Sequence, residues 1–244
     1  MGIFKIETEV AAERYLQGER KDVFMSIRTK ISEIVSCKAD AVWSVADIAY
    51  SDYKDDFSCA IVIAQRYSSF LTEAEYDEEK YNTLLIETSR NLNQKIGSLK
   101  NLLDSYEIKN YVPAAVHNNE TNLRAPFSFK EAAVQAGLGW IGKNDVLITK
   151  KFGPRVRLGA ILLDYPFLTC AKPIKQSLCG NCQACIKACP YKALYGAEWK
   201  PGLKRDDLID YKLCNRKRSE YLREYGRKSA CGHCILVCPW GVKE

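Results

Sequence analysis

The sequence predicts an α+β fold, with a mixed α/β core domain over residues 1–169 and a small cysteine-rich domain over residues 170–244. Three observations carry this. Helical and strand periodicities alternate along the first two thirds of the chain. Only Cys37 and Cys59 precede Leu168, whereas nine of the eleven cysteines follow it. Pro166 and Pro173 fall within Tyr165–Pro173, where they disfavour a continuing helix or central strand and mark the expected join. The 47% apolar content suits a globular core, and 244 residues allow one large or two modest domains.

In the first domain, Val23, Phe24, Ile27, Ile31 and Ile34 recur at helical spacing and predict an amphipathic helix over Val23–Val35. Ser58–Ala64 is compact, apolar and rich in β-branched residues, as in a buried strand. Thr72 and Glu75 have capping-box spacing and are expected to open a long helix running to about Tyr106, with Leu84, Leu85, Leu92, Ile96, Leu99, Leu102 and Leu103 on its apolar side. Tyr111–Val116 reads as a short strand whose Pro113 argues for an edge or a strand end. Ser128 and Glu131 form a second capping box, opening a helix through Gln135 that Gly137 ends at a left-handed position. Asp145–Thr149 and Arg155–Asp164 read as strands joined as a hairpin through Gly153-Pro154.

The chemistry is concentrated near the C-terminus. Cys179, Cys182, Cys185 and Cys189, followed by Pro190, make a C-x2-C-x2-C-x3-C-P run, the pitch of thiolates around a cubane iron–sulfur cluster. In such runs the fourth cysteine crosses to a second cluster, which requires a partner set. Cys231, Cys234 and Cys238-Pro239, with the isolated Cys214, supply it. The sharing rule assigns Cys179, Cys182, Cys185 and Cys238 to one [4Fe-4S] cluster, and Cys189, Cys214, Cys231 and Cys234 to the other. A zinc site needs only four ligands and more usually shows two knuckles across a longer loop, so eight cysteines in this order overfill it. An odd cysteine count argues against a disulfide framework. Cys59 and Cys37 read as small core residues, and Cys170 stands just before the cluster region.

Lys5, Glu7 and Glu9 interrupt any secretory apolar region at Met1–Ala11, and no apolar stretch reaches bilayer length. A soluble protein of the reducing cytoplasm, with no membrane partner, is expected. The formal charge of +6 is uneven. Trp199–Lys228 carries ten basic residues, including Arg205, Arg216, Lys217, Arg218, Arg227 and Lys228, against five acids. Such a tract either solvates a surface helix and offsets cluster charge or attracts phosphate.

Gly137-Leu-Gly-Trp-Ile-Gly142-Lys-Asn144 places three glycines in six residues, which permits close backbone approach by a ligand or another strand. Ala132–Asn144, followed by Cys179–Pro190, Cys214 and Cys231–Pro239, resembles the epoxyqueuosine reductase family, whose plan is similar to that of reductive dehalogenases. The resemblance is clearest from Ala125 to Trp240. It implies a nitroreductase-like core holding cobalamin and a ferredoxin-like domain whose two [4Fe-4S] clusters feed it electrons. It further implies reduction of an epoxide on a tRNA nucleoside. Gly139, Trp140, Ile141, Gly142 and Lys143 would line the corrinoid pocket. The family places an acidic proton donor just before an Ala-Pro pair, but Leu123-Arg124 precedes Ala125-Pro126 here. The catalytic residue is therefore unknown, with His117 and Glu120 the nearest candidates. The chain also stops at Glu244, without the helical-repeat extension that longer reductases use against tRNA. An electron-transfer or partner-activating module without its own substrate chemistry is the alternative, and FMN in place of cobalamin is a variant. Expected partners are an external electron donor such as ferredoxin or flavodoxin, with tRNA or a corrinoid protein as further candidates.

Overall fold

The computed structural model describes residues 19–114, 125–165 and 172–242. A four-stranded antiparallel sheet in the order β1-β2-β6-β3 forms its centre. The strands are β1 (Ala41–Asp47), β2 (Cys59–Arg66), β3 (Asn110–Tyr111) and β6 (Val156–Leu163). Every residue of β2 but Arg66 is buried, because strands lie on both sides of it and both of its faces are covered. Alternation then sends its side chains to two different cores.

Cys59, Ile61 and Ile63 face α1 (Glu19–Ser36) and α2 (Glu78–Ser105), meeting Ile27, Ile31, Leu92 and Leu99. Each fully buried aliphatic side chain of this layer contributes about 1.5–3 kcal/mol. Ala60 and Val62 face the opposite way, toward α3 (Phe129–Gln135) and toward Ala193, Leu194, Trp199, Leu208 and Ile209 of the cysteine-rich segment. The C-terminal residues thus share a hydrophobic core with the sheet and help to cover its second face.

Several sequence expectations are met. The first amphipathic helix, the buried strand and the Ser128-capped helix form where their patterns place them, and Ser128 Oγ accepts from Glu131 N–H. Gly137 follows α3 with φ 67°, the left-handed region that favours glycine. Others need correction. Thr72 and Glu75 do bond reciprocally, but they close a separate turn, and Asp77 caps α2 by accepting from Lys80 N–H. Strand β3 is only two residues long and pairs only with β6, an edge as expected. Val116 lies outside the described residues.

The expected hairpin of β5 and β6 does not form. β4 (Gly139–Ile141) pairs instead with β5 (Leu147–Thr149) in a separate two-stranded sheet. The physical reason is at Gly153. Its N–H and carbonyl both bond Thr149, closing a tight local turn, so the chain leaving it enters β6 to pair with β2 and β3. A Cβ on Gly153 would meet the Trp240 carbonyl oxygen at 1.9 Å, so the turn is pressed against the C-terminal tail.

Candidate metal centre

Short helices position the cysteines. Helix α4 (Ala184–Ala188) carries Cys185, α5 (Tyr211–Ser219) carries Cys214, α6 (Leu222–Tyr225) follows it, and α7 (His233–Leu236) carries Cys234. Helices α4 and α7 pack on each other, which brings the two distant cysteine stretches together. Cys179, Cys182, Cys185 and Cys238 then line a single pocket, together with Ile148 and Trp240. This is the crosswise set, with Cys238 entering from the second stretch.

Burial raises the Cys185 thiol to about 11, and Cys179, Cys238 and Cys182 push it the same way. Cys234 is raised first by burial and then by Cys231, Cys185, Cys214 and Cys189, so it lies near the second set and near Cys185 of the first. Cys214 is likewise raised by burial and by Cys231 and Cys189, with Arg218 and Arg205 opposing. Tyr191 lies beside Cys231 and is pushed to about 12 by burial and by that thiol. Thiols crowded in this way resist ionising together in the absence of a compensating positive charge, and iron supplies one. Among the described residues, no three His, Cys, Asp or Glu side chains converge as a single metal ion requires. The donor sets, four thiols each, fit the ligand chemistry of a cubane.

The core supplies the supports. Lys143 is buried and donates Nζ to the carbonyl of Gly180 at 2.5 Å and to that of Cys182 at 3.4 Å, inside the first cysteine loop. Asn144 donates to the carbonyl of Cys234 at 2.9 Å. Arg155, 4% exposed, spreads its guanidinium over the carbonyls of Trp240, Leu236 and Cys238. Asp145, 7% exposed, accepts from Lys130 at 2.5 Å on one oxygen and from Arg205 at 2.9 Å on the other. On α2, Glu78 pairs with Arg227 and accepts from the N–H of Ala230, the residue before Cys231.

Residues 178–241 match the family described as the 4Fe-4S double cluster binding domain. The cysteine region is a double [4Fe-4S] cluster domain. Over 126 residues, 48% of this chain and 35% of the relative, the chain is 36% identical to an epoxyqueuosine reductase of Synechococcus sp. (strain RCC307). The chain spans about a third of the length of the curated relatives it matches. A solved epoxyqueuosine reductase carrying a tRNA-Tyr epoxyqueuosine-modified stem loop shares the fold, with TM-score 0.56 and 18% identity over 89% of this chain and 66% of that one. A reductive dehalogenase, described with a mechanism for B12-dependent dehalogenation, gives TM-score 0.51 and 19% identity over 77% of this chain and 26% of its own. The chain is thus similar to epoxyqueuosine reductases in sequence over about half of its length, and it shares a mixed α/β fold with them.

The turn expected to line a corrinoid pocket is packed on protein. Gly139, Trp140, Ile141, Gly142 and Lys143 are all buried. A Cβ on Gly139 would meet the Ile148 carbonyl at 2.2 Å, and one on Gly142 would meet the Ile148 side chain at 2.4 Å. Trp140 stacks edge-on to Trp240 at 4.7 Å and packs with Cys238. The side chains of Trp140 and Lys143 are turned toward the first cysteine set, Trp140 against Cys238 and Lys143 onto the Gly180 carbonyl. His117, Glu120, Leu123 and Cys170 lie outside the described residues, as does most of the expected join at Tyr165–Pro173. Arg155, Asp145 and Glu78 were not singled out from sequence. An isolated Arg between two strands carries no motif, and its role appears only once the C-terminal carbonyls are folded against it.

Among the described residues, no helix is long and apolar enough to cross a membrane.

Proposed function

We propose that this chain is a cytoplasmic iron–sulfur oxidoreductase of the epoxyqueuosine reductase type. A nitroreductase-like core over residues 1–169 would support a ferredoxin-like domain over residues 170–244. The ligands are Cys179, Cys182, Cys185 and Cys238 for one cluster, and Cys189, Cys214, Cys231 and Cys234 for the other. Bound there, two [4Fe-4S] clusters each supply a one-electron carrier. The observation that carries this reading is the cavity lined by three cysteines of the first stretch and Cys238 of the second.

The chain's own residues hold the loops and exclude water. Lys143, Asn144 and Arg155 fix the carbonyls of both cysteine loops from the core side. Trp140, Ile148 and Trp240 cover the first set with apolar surface, which favours the less charged states of a bound cluster. A reductive reaction at a corrinoid is proposed on the strength of the B12-dependent relative. A corrinoid beside the glycine turn would meet its main chain, since the side chains are committed elsewhere. A tRNA substrate is proposed on the strength of the stem-loop complex.

One observation favours a second reading, an electron-transfer or partner-activating module without its own substrate. The space at Gly139 and Gly142 is filled by Ile148 rather than left for a cofactor. Anaerobic reconstitution with iron, sulfide and cobalamin separates the two. Co-elution of corrinoid with a protein containing about eight irons supports the reductase. Eight irons without corrinoid supports the carrier, and neither reading survives if iron is absent.

A further inference from the structure

The longest helix of the core leaves a patterned face in solvent. Asn82, Leu85 with Ile86, Ser89 with Arg90, and Asn93 with Gln94 recur at helical spacing along α2 and form one wall of an open groove of about 790 Å³. Arg157, Arg218, Lys228 and Ala230 form the other wall. Four cations and no carboxylate line it, and none of the four has an ion-pair partner among the described residues. The contrast with Arg227 is plain, since that neighbour is held by Glu78 and Glu79. Its apolar lining residues are Leu85, Ile86 and Ala230, with Ile86 51% exposed.

The groove ends at the second cysteine set. Ala230 immediately precedes Cys231, and Arg218, on the helix that carries Cys214, donates Nε to the carbonyl of Ser229 at 2.7 Å. We propose that this groove is the docking surface for an acidic one-electron carrier protein, which delivers electrons to the cluster held by Cys189, Cys214, Cys231 and Cys234. This rests on the iron–sulfur reading above. A basic rim without carboxylates beside an exposed apolar residue selects a partner whose cofactor edge is ringed by carboxylates, and it speeds encounter. The lining contains no aromatic ring on which a nucleobase could stack, which disfavours single-stranded RNA as the occupant. The transfer balances as one electron leaving the partner's reduced flavin or cluster and one ferric equivalent on this chain becoming ferrous, with no proton or bond exchanged.

The test uses anaerobically prepared holoprotein and reduced flavodoxin as the acidic probe. Affinity is measured by calorimetry and cluster reduction by stopped flow, across a salt series and for Arg90→Glu combined with Lys228→Glu. The expected result is a Kd that weakens with salt and a variant whose association rate falls on the order of tenfold, while reduction by dithionite is unchanged. Ile86→Ala serves as the second variant and is expected to weaken binding while leaving the salt slope intact. Salt-independent binding, unchanged variants, or loss of tRNA stem-loop binding in place of flavodoxin binding would overturn the proposal. Failure of dithionite to bleach any cluster would instead remove the iron–sulfur reading beneath it.

Discussion

The guanidinium of Arg155, in the turn before β6, donates to the main-chain carbonyl of Cys238 at 3.0 Å, 83 residues along the chain. The same Nη2 reaches Leu236 at 2.6 Å, and Nη1 reaches Trp240. One buried core side chain thereby sets the path of the segment that carries the crossing ligand.

Arg155→Lys should therefore loosen that segment. Lysine keeps the charge but lacks the planar fork that spans three carbonyls. Each charge-assisted hydrogen bond lost from a buried site costs about 1.5–3 kcal/mol. The expected outcome is a variant that folds with reduced thermal stability and retains about four irons in place of about eight, measured by iron assay on anaerobic protein.

Lys143 tests electrostatics rather than architecture. Its ammonium contacts two carbonyls of the first cysteine loop, and Glu198 at 3.8 Å is half exposed and offsets little of the charge. A positive charge beside a cluster favours the added electron. Lys143→Gln should lower the midpoint potential of the first cluster by roughly 50 mV, the one-electron equivalent of about 1 kcal/mol. Redox titration followed by electron paramagnetic resonance reads this directly.

Asp145 joins α3 to the cysteine-rich segment by accepting from Lys130 and Arg205. Its substitution by Asn leaves Lys130 short of its counter-charge in a site that desolvates it. Breaking a buried pair from one side costs about 3–5 kcal/mol. Denaturant unfolding of Asp145→Asn should show a loss smaller than this, because Lys130 and Arg205 are both partly exposed.

Glu78 gives a pH signature. Its hydrogen bonds from Arg227 hold the carboxyl below the usual range, with the N–H of Ala230 helping. A carboxyl depressed in the folded state stabilises the protein at pH above its unfolded value, about 4.3, and that contribution is lost as pH falls through the folded value. The wild type should lose stability below about pH 4.3 more steeply than Glu78→Gln, as read by denaturant midpoints across an acid series.

The cysteine region was the most legible part of the sequence, because ligand spacing is a local property and Cys179–Pro190 carries it entire. The helices around Val23–Val35 and Ser128–Gln135 were legible for the same reason, through their period and their caps. What stayed hidden was decided across long sequence separations. Thr149 bonding Gly153 redirects β6 to β2, and no residue in that turn announces the partner strand. The glycines at 139 and 142 signalled close approach correctly, but Ile148, and not a ligand, fills the space. β1 went unread because Val42, Trp43 and Val45 are broken by Ser44 and Ala46, a pattern with little contrast.

The central claim is that two cubanes are held crosswise, and paired cysteine substitutions test it most directly by iron and acid-labile sulfide content. Cys182→Ala with Cys238→Ala removes two ligands of one cluster, so about four irons should remain, whereas Cys182→Ala with Cys189→Ala should leave almost none. The reverse pattern, with the second pair retaining four irons and the first pair none, would contradict the account by showing that each stretch of chain keeps its own cluster.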